Sequence, residues 1–429
     1  MSAKINEFLR RNIFKGDAVL WMIYFLLCMV SIVEIYSASS NMTFRSGHHW
    51  DPVVNQFQFL LYGFLLILLV SRIPCKYFRL LRYVGLLLSV ALLAYTLTQG
   101  STNDASRWVR FGGVSFQPSE LAKPFLILFV AVELTKLNQA RRKSGSRVGK
   151  AKYAKAQQRC FWTTIAATLL VCGLIAPENL STAMMIALVV GGMMYIGNVS
   201  IKYLLRTALV CVALLALAVT LVTITPDEQL QSHARALTWK HRITEKFSGT
   251  EEKDSTQPLV IPDKQRQEYS ACIAIANSNI VGRGAGNSVE RDFLPHAEND
   301  FIYAIIIEEL GIIGALVVMM LYMWLFIQMW RIARKSDKFF PAFLGIGLTL
   351  MLVIQALVNM AVAVGLMPVT GQTLPLISHG GTSILMTSFS IGMILSVSRY
   401  VERVNTTALA AEPVPANETS EYADGEGMN

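Results

Sequence analysis

The chain has 429 residues, of which 53% are hydrophobic and only 16% charged, with a mean hydropathy of +0.44 and a formal net charge of +9. A water-soluble domain carries about 25% charged residues, so this composition excludes an ordinary soluble fold, and the apolar excess falls in blocks of about 17–25 residues, the length that crosses a hydrocarbon core. The basic residues collect in alternate gaps between these blocks, which argues for membrane topology and against nucleic acid as a partner.

Taken in chain order, residues 1–17 form a basic tail with Lys4, Arg10, Arg11 and Lys15. Ten apolar spans follow, near 18–37, 57–73, 80–98, 118–137, 161–176, 182–198, 203–224, 301–330, 341–365 and 380–399. Lipid offers the backbone no hydrogen-bond partner, so each span is expected to be helical. With the N-terminus inside, the inner segments hold 25 Lys and Arg residues and the short outer loops hold three. That bias places both termini in the cytoplasm. The predicted fold class is therefore an all-α polytopic membrane protein of about ten transmembrane helices.

A long extracytoplasmic loop, 225–299, separates helices 7 and 8, and a loop of this length is usually functional. Trp239, Ile243 and Phe247 recur within it at helical spacing, as in a helix lying on the membrane surface. The basic segment 138–160 reads first as a topology anchor, the alternative being contact with anionic lipid headgroups or a cytosolic partner. The membrane domain is expected over 18–403, and the acidic stretch 404–429 is expected to be a disordered cytoplasmic tail. Six cysteines are scattered singly without a CxxC pair, and the six histidines are not spaced as metal ligands.

Four polar constellations stand where the membrane tolerates polar groups only for a reason. Arg107-Trp108 precedes Gln117-Pro118-Ser119-Glu120-Leu121-Ala122-Lys123, in which Pro118 suits a helix start and Gln117, Glu120 and Lys123 fall roughly on one face. Lys123 serves either a phosphate or a structural ion pair with Glu120. Asp300 stands at the outer mouth of span 8 beside an apolar wall, a setting that suits a general base, although Asp also fills a helix N-cap. Glu308-Glu309 lie about two turns deeper and need partners from elsewhere in the protein. The segment Gly365–Ser383 has no Asp, Glu, Lys or Arg, and reads as a re-entrant piece lining a pocket. Gly282-Arg283-Gly284-Ala285-Gly286 is a weak match to a phosphate loop but brings backbone N–H groups and Arg283 toward an anion.

Together these pieces resemble the SEDS family (shape, elongation, division and sporulation). The resemblance rests on Arg107-Trp108 with Phe116–Lys123, on Ala274–Ser288, on Leu294-Pro295 with Asp300-Phe301-Ile302-Tyr303-Ala304 and Glu308–Gly311, and on Gln355, Asn359 and Gly365–Ser383. It covers residues 17–403. The chain departs from the family at His296-Ala297-Glu298-Asn299 and at Ala176–Thr182.

The resemblance implies a peptidoglycan glycosyltransferase of the bacterial inner membrane, polymerising lipid II in one inverting displacement. Asp300 is then the catalytic base. Arg107, Lys123, Glu120, Gln117, Arg283, Asn287, Ser288, Ser378, His379 and Thr382 are the expected substrate- and pyrophosphate-binding residues. A divalent cation, Mg or Mn, is the one cofactor it suggests, with no organic cofactor. A class B penicillin-binding protein and other divisome proteins are the implied partners. The basic 138–160 segment and the long tail incline the reading to division rather than elongation. A lipid II flippase, a division scaffold and another polyprenyl-linked glycosyltransferase are the competing readings.

Overall fold

The computed structural model describes residues 14–38, 50–98, 109–111, 114–145, 147–224, 263–292 and 299–411. Arg107, the segment containing Trp239, Ile243 and Phe247, and residues 412–429 lie outside the described residues. The elements in order are α1 (Ala18–Ala38), α2 (Asp51–Arg72), α3 (Cys75–Thr98), β1 (Val109–Phe111), β2 (Val114–Phe116), α4 (Pro118–Arg142), α5 (Arg147–Ile175), α6 (Leu180–Ile196), α7 (Ile201–Ile224), α8 (Asp263–Ala276), α9 (Ile302–Arg334), α10 (Phe339–Ala363) and α11 (Gly381–Ala411). A 3₁₀ turn occupies Glu290–Asp292.

Each of the ten predicted spans falls on one of these helices, and the protein is a helical, multi-pass membrane protein. Seven helices are long and apolar enough to cross a bilayer by composition alone. Helix α4 also carries Glu120, Lys123, Glu133 and Lys136, which neutralise one another in two i,i+3 pairs, Lys123–Glu120 at 2.6 Å and Lys136–Glu133 at 2.5 Å. Burial divides the helices by position. In α10 and α11, 72% of the apolar window is buried, against 28% in α2 and 22% in α3. The former are central and the latter lie against lipid.

Three features depart from the sequence expectation. The 138–160 segment is mostly helical, because its Ala, Lys and Gln residues are strong helix formers that extend α4 and α5 past the membrane. Likewise α11 runs on to Ala411, so 404–411 is helix. The loop 225–299 contains α8, which packs Ala271 and Ala274 against the membrane domain. A small antiparallel hairpin, Val109 opposite Phe116, delivers the chain to α4.

The break that shapes the site is inside α9. Gly311 has φ 70° and ψ −172°, so the helix is interrupted about two and a half turns after its buried start. The carbonyls of Glu308 and Glu309, freed by that break, accept from the backbone N–H of Arg283 (3.1 Å) and Gly284 (2.8 Å), and Ile313 N–H donates to Ile280 (3.3 Å). Residues 280–284 thus run alongside the opened helix as a backbone patch. Gly282 (φ 80°) and Gly311 face one another so closely that a Cβ on either would strike the other's backbone. Only glycine fits both the positive φ and the approach.

Candidate active site

Residues 372–378 of the non-helical stretch between α10 and α11 pack among the helices, whereas 364–368 are exposed. Leu374, Leu376 and Ile377 are all within 2% of complete burial. Backbone at that depth must be satisfied by protein, and side chains from several helices do so. Asn179, at the start of α6, donates to the Thr370 carbonyl (3.2 Å), and Gln355 and Asn359 of α10 donate to those of Thr373 (3.0 Å) and Gln372 (2.7 Å). Tyr322 of α9 donates to Pro375 and Ser31 of α1 to Ile377. The expectation of a buried, irregular segment between two spans is met over residues 372–378. Leu376 is held at φ 68°, a conformation that costs a side-chain-bearing residue about 1–2 kcal/mol.

This segment also fixes the position of Asp300. Asn359 Nδ2 donates to the Asp300 carbonyl at 2.9 Å, and Ser378 Oγ donates to the carbonyl of Asn299 at 2.5 Å. The peptide carrying Asp300 is therefore gripped from α10 and from the irregular segment. Phe301 stands at the N-cap of α9 without a side-chain cap bond, so the N-cap reading of Asp300 does not describe how this helix begins. The Asp300 residue itself is half-buried.

Lys123 joins the same network. Its ammonium, 3% exposed, donates to Glu120 Oε1 (2.6 Å), Gln355 Oε1 (3.0 Å) and Gln372 Oε1 (3.4 Å). Those are all three of its hydrogens, so its charge acts through these partners. Gln372 in turn donates to Thr182 of α6. Pro124, one residue on, withholds the N–H that would otherwise bond the Glu120 carbonyl. Gln117 precedes the helix rather than continuing the Glu120–Lys123 face, and Pro118 occupies the first helical turn as expected.

Arg283, Asn287 and Ser288 gather around Glu308 and Glu309 instead. Glu308 accepts from Ser288 Oγ (2.5 Å) and Val289 N–H (3.0 Å), with Arg283 at 3.8 Å. Glu309 accepts from Gly286 N–H (2.9 Å), Ser288 N–H (3.3 Å) and the Ser37 hydroxyl of α1. Arg291 ties the Ser37 and Gly286 carbonyls together at 3.2 and 2.9 Å. The glycine-rich loop, read as a weak anion cradle, thus turns its Arg283 and Gly284 N–H groups onto the backbone carbonyls of Glu308 and Glu309 and its Gly286 N–H onto the Glu309 carboxylate. Asn287 bonds the Arg283 carbonyl at 3.0 Å. Glu34 of α1 lies fully buried near Glu309, and neither of its oxygens has a hydrogen-bond partner among the described residues.

His379 reaches α2. Its Nδ1 is 3.1 Å from Gln56 Oε1, and Gln56 donates to Ser31 at 2.7 Å. The Thr382 hydroxyl is buried in the first turn of α11, without a partner among the described residues. The residues brought together around Asp300 are accordingly Ser378, Asn359, Gln355, Gln372, Lys123, Glu120 and Thr182. Four of them, Thr182, Gln355, Asn359 and Gln372, were not predicted as site residues, although uncharged amides and a hydroxyl at membrane depth are themselves a signal. Among the described residues no three His, Cys, Asp or Glu side chains converge as a metal cage. The carboxylates of Glu308 and Glu309 are already committed to hydroxyls and backbone N–H groups.

The chain defines a multi-pass membrane protein with a polar network buried behind one carboxylate at the mouth of a broken helix. It matches the cell cycle protein family FtsW/RodA/SpoVE over residues 17–403 and belongs to that family. Curated relatives named probable peptidoglycan glycosyltransferase FtsW include those of Enterococcus hirae (30% identical, covering 91% of this chain and 95% of the relative), Bacillus subtilis (30%, 87% and 85%) and Geobacter sulfurreducens (29%, 90% and 96%). Among solved structures, a chain of a peptidoglycan synthase complex aligns with a TM-score of 0.66 at 24% identity, covering 90% of this chain and 98% of that one. The rod shape determining protein RodA of Thermus thermophilus aligns with a TM-score of 0.60 at 23% identity, covering 90% and 97%. These two show the same fold.

Proposed function

We propose that this glycosyltransferase polymerises lipid II into glycan strands at the outer face of the bacterial inner membrane during cell division, with Asp300 as general base. The observation that carries the reading is the double grip on the Asn299–Asp300 peptide by Ser378 and Asn359. A base is useful only when its position is fixed relative to the hydroxyl it deprotonates. The carboxylates of Glu120, Glu308 and Glu309 are engaged by Lys123, by backbone N–H groups and by hydroxyls, which suits them to structural roles.

In the proposed reaction the Asp300 carboxylate takes the proton from the 4-hydroxyl of the acceptor sugar. That oxygen attacks the anomeric carbon of the donor, the bond to undecaprenyl pyrophosphate breaks, and the configuration inverts. The leaving group needs its charge met rather than a proton. Arg283, a third exposed and only 3.8 Å from its carboxylate partner, supplies that charge together with Arg107. Lys123 holds the scaffold in place. A class B penicillin-binding protein, the transpeptidase that cross-links the new strand, is the proposed partner.

The break in α9 also suits a lipid II flippase, because discontinuous helices are common at transport sites. Here, however, the freed carbonyls are filled by residues 283 and 284, which favours a fixed site. The test is reconstitution of the purified protein in vesicles with lipid II and a transpeptidase-silent class B penicillin-binding protein. Glycan ladders are expected; movement of lipid II across the bilayer with no chain growth would shift the assignment to transport.

A further inference from the structure

At the end of the molecule that bears the N-terminus, which the basic-residue pattern assigns to the cytoplasm, a pocket of about 310 Å³ opens between the α2–α3 turn, the start of α10 and the end of α11. Five basic residues line it: Lys76, Arg79, Lys338, Arg399 and Arg403. No ion pair joins any of them to a carboxylate among the described residues. Nearby carboxylates have other partners. Asp337 accepts from Tyr400 (2.9 Å), and Asp17 accepts from Gln328 (2.7 Å) and from the first N–H groups of α1. Glu402 lies on the exposed side of α11.

The cations are held in place rather than loose. The Arg79 guanidinium lies 4.8 Å over the Phe340 ring and the Lys338 ammonium 5.5 Å over that of Tyr400. Arg399 reaches the last carbonyls of α2, Ser71 and Arg72, at 3.4 Å. Just outside the pocket, the Lys15 ammonium is held below the usual lysine range by partial desolvation and by Arg399, Arg72 and Arg403. That mutual repulsion shows how concentrated the positive charge is at this end. Ile73, Pro74, Phe340 and Pro341 give the same pocket an apolar wall.

We propose that this pocket binds the phosphate headgroup of an anionic phospholipid of the cytoplasmic leaflet. A cluster of positive charge without counter-ions calls for an anion. The apolar wall and the position at a membrane boundary favour one carried on a lipid, and basic pockets between helices on this side are suited to such headgroups. The site is separate from Asp300, which lies at the opposite end of the helices.

The test is native mass spectrometry of the full chain with dioctanoyl phosphatidylglycerol, dioctanoyl phosphatidylcholine or inorganic phosphate. The exposed residues are changed together as Arg79→Gln, Lys338→Gln and Arg403→Gln. A control removes equal charge elsewhere, at exposed residues, as Lys202→Gln, Arg206→Gln and Arg331→Gln. Wild type and control are expected to retain phosphatidylglycerol over phosphatidylcholine, and the pocket variant to lose at least about tenfold in that retention. Equal retention by the pocket variant and the control overturns the proposal. So does saturation by inorganic phosphate with no preference for phosphatidylglycerol, which assigns the pocket to a soluble anion. Should the triple variant fail to melt cooperatively, Lys338→Gln and Arg79→Gln are measured singly under the same criteria.

Discussion

Asn359 holds Asp300 by its backbone: a single amide nitrogen donates to the Asp300 carbonyl at 2.9 Å and to the Gln372 carbonyl at 2.7 Å. Gln372 is also a partner of Lys123, so the position of Asp300 is connected to an ion pair in α4 through two residues. Asn359→Leu removes both donors and leaves two buried carbonyls unmet, at about 1–3 kcal/mol each. A displacement of the carboxylate by about 1 Å is expected to lower kcat by about 100-fold with a much smaller change in KM. Steady-state turnover against lipid II concentration checks this. An unchanged kcat in a folded variant would show that the clamp does not position the base.

The Lys123–Glu120 pair is predicted to matter for stability first. Lys123→Met leaves the Glu120 carboxylate buried and uncompensated, which costs about 3–5 kcal/mol. Adding Glu120→Gln removes the stranded charge, and the double variant should melt well above Lys123→Met alone. Thermal unfolding of the four-member cycle in detergent measures the coupling. Strict additivity would mean that the two side chains do not depend on one another.

The glycines at the α9 break make a graded prediction. Gly286 has φ 86° but open space around its missing Cβ, whereas Gly311 has φ 70° and the backbone of residues 280–282 against it. Gly286→Ala should lose about 1–3 kcal/mol from backbone strain alone. Gly311→Ala adds a steric clash with main-chain atoms and should lose more, with Gly282→Ala behaving likewise. Melting temperatures of the three variants give the order, and equal losses would contradict the packed geometry.

Much of the fold was legible in the sequence because the bilayer imposes simple rules. Span length and apolar blocks located ten of the helices, seven of them long and apolar enough to cross a bilayer among the described residues, and Pro118 located the start of α4. The i,i+3 spacing exposed Glu120–Lys123. What the sequence did not reveal is long-range. Gln355 and Gln372 meet Lys123 from 232 and 249 residues away, and nothing local marks them as its partners. The break in α9 was hidden because hydropathy runs through Gly311 without interruption; the adjacent carboxylates of Glu308 and Glu309 were its only trace. The hairpin before α4 had a local sign in the sequence, the Gly112-Gly113 dipeptide between apolar residues. Helix α8 was masked by the polar composition of the long loop.

The central claim concerns one carboxylate, and Asp300→Asn addresses it with the smallest change in shape. The measurement is the initial rate of lipid II polymerisation by wild type and Asp300→Asn, each with a transpeptidase-silent class B penicillin-binding protein and each shown to melt at the same temperature. Loss of a general base predicts a rate lower by about 10²–10⁴-fold with lipid II still bound. Glycan ladders formed by Asp300→Asn at close to the wild-type rate would contradict the account.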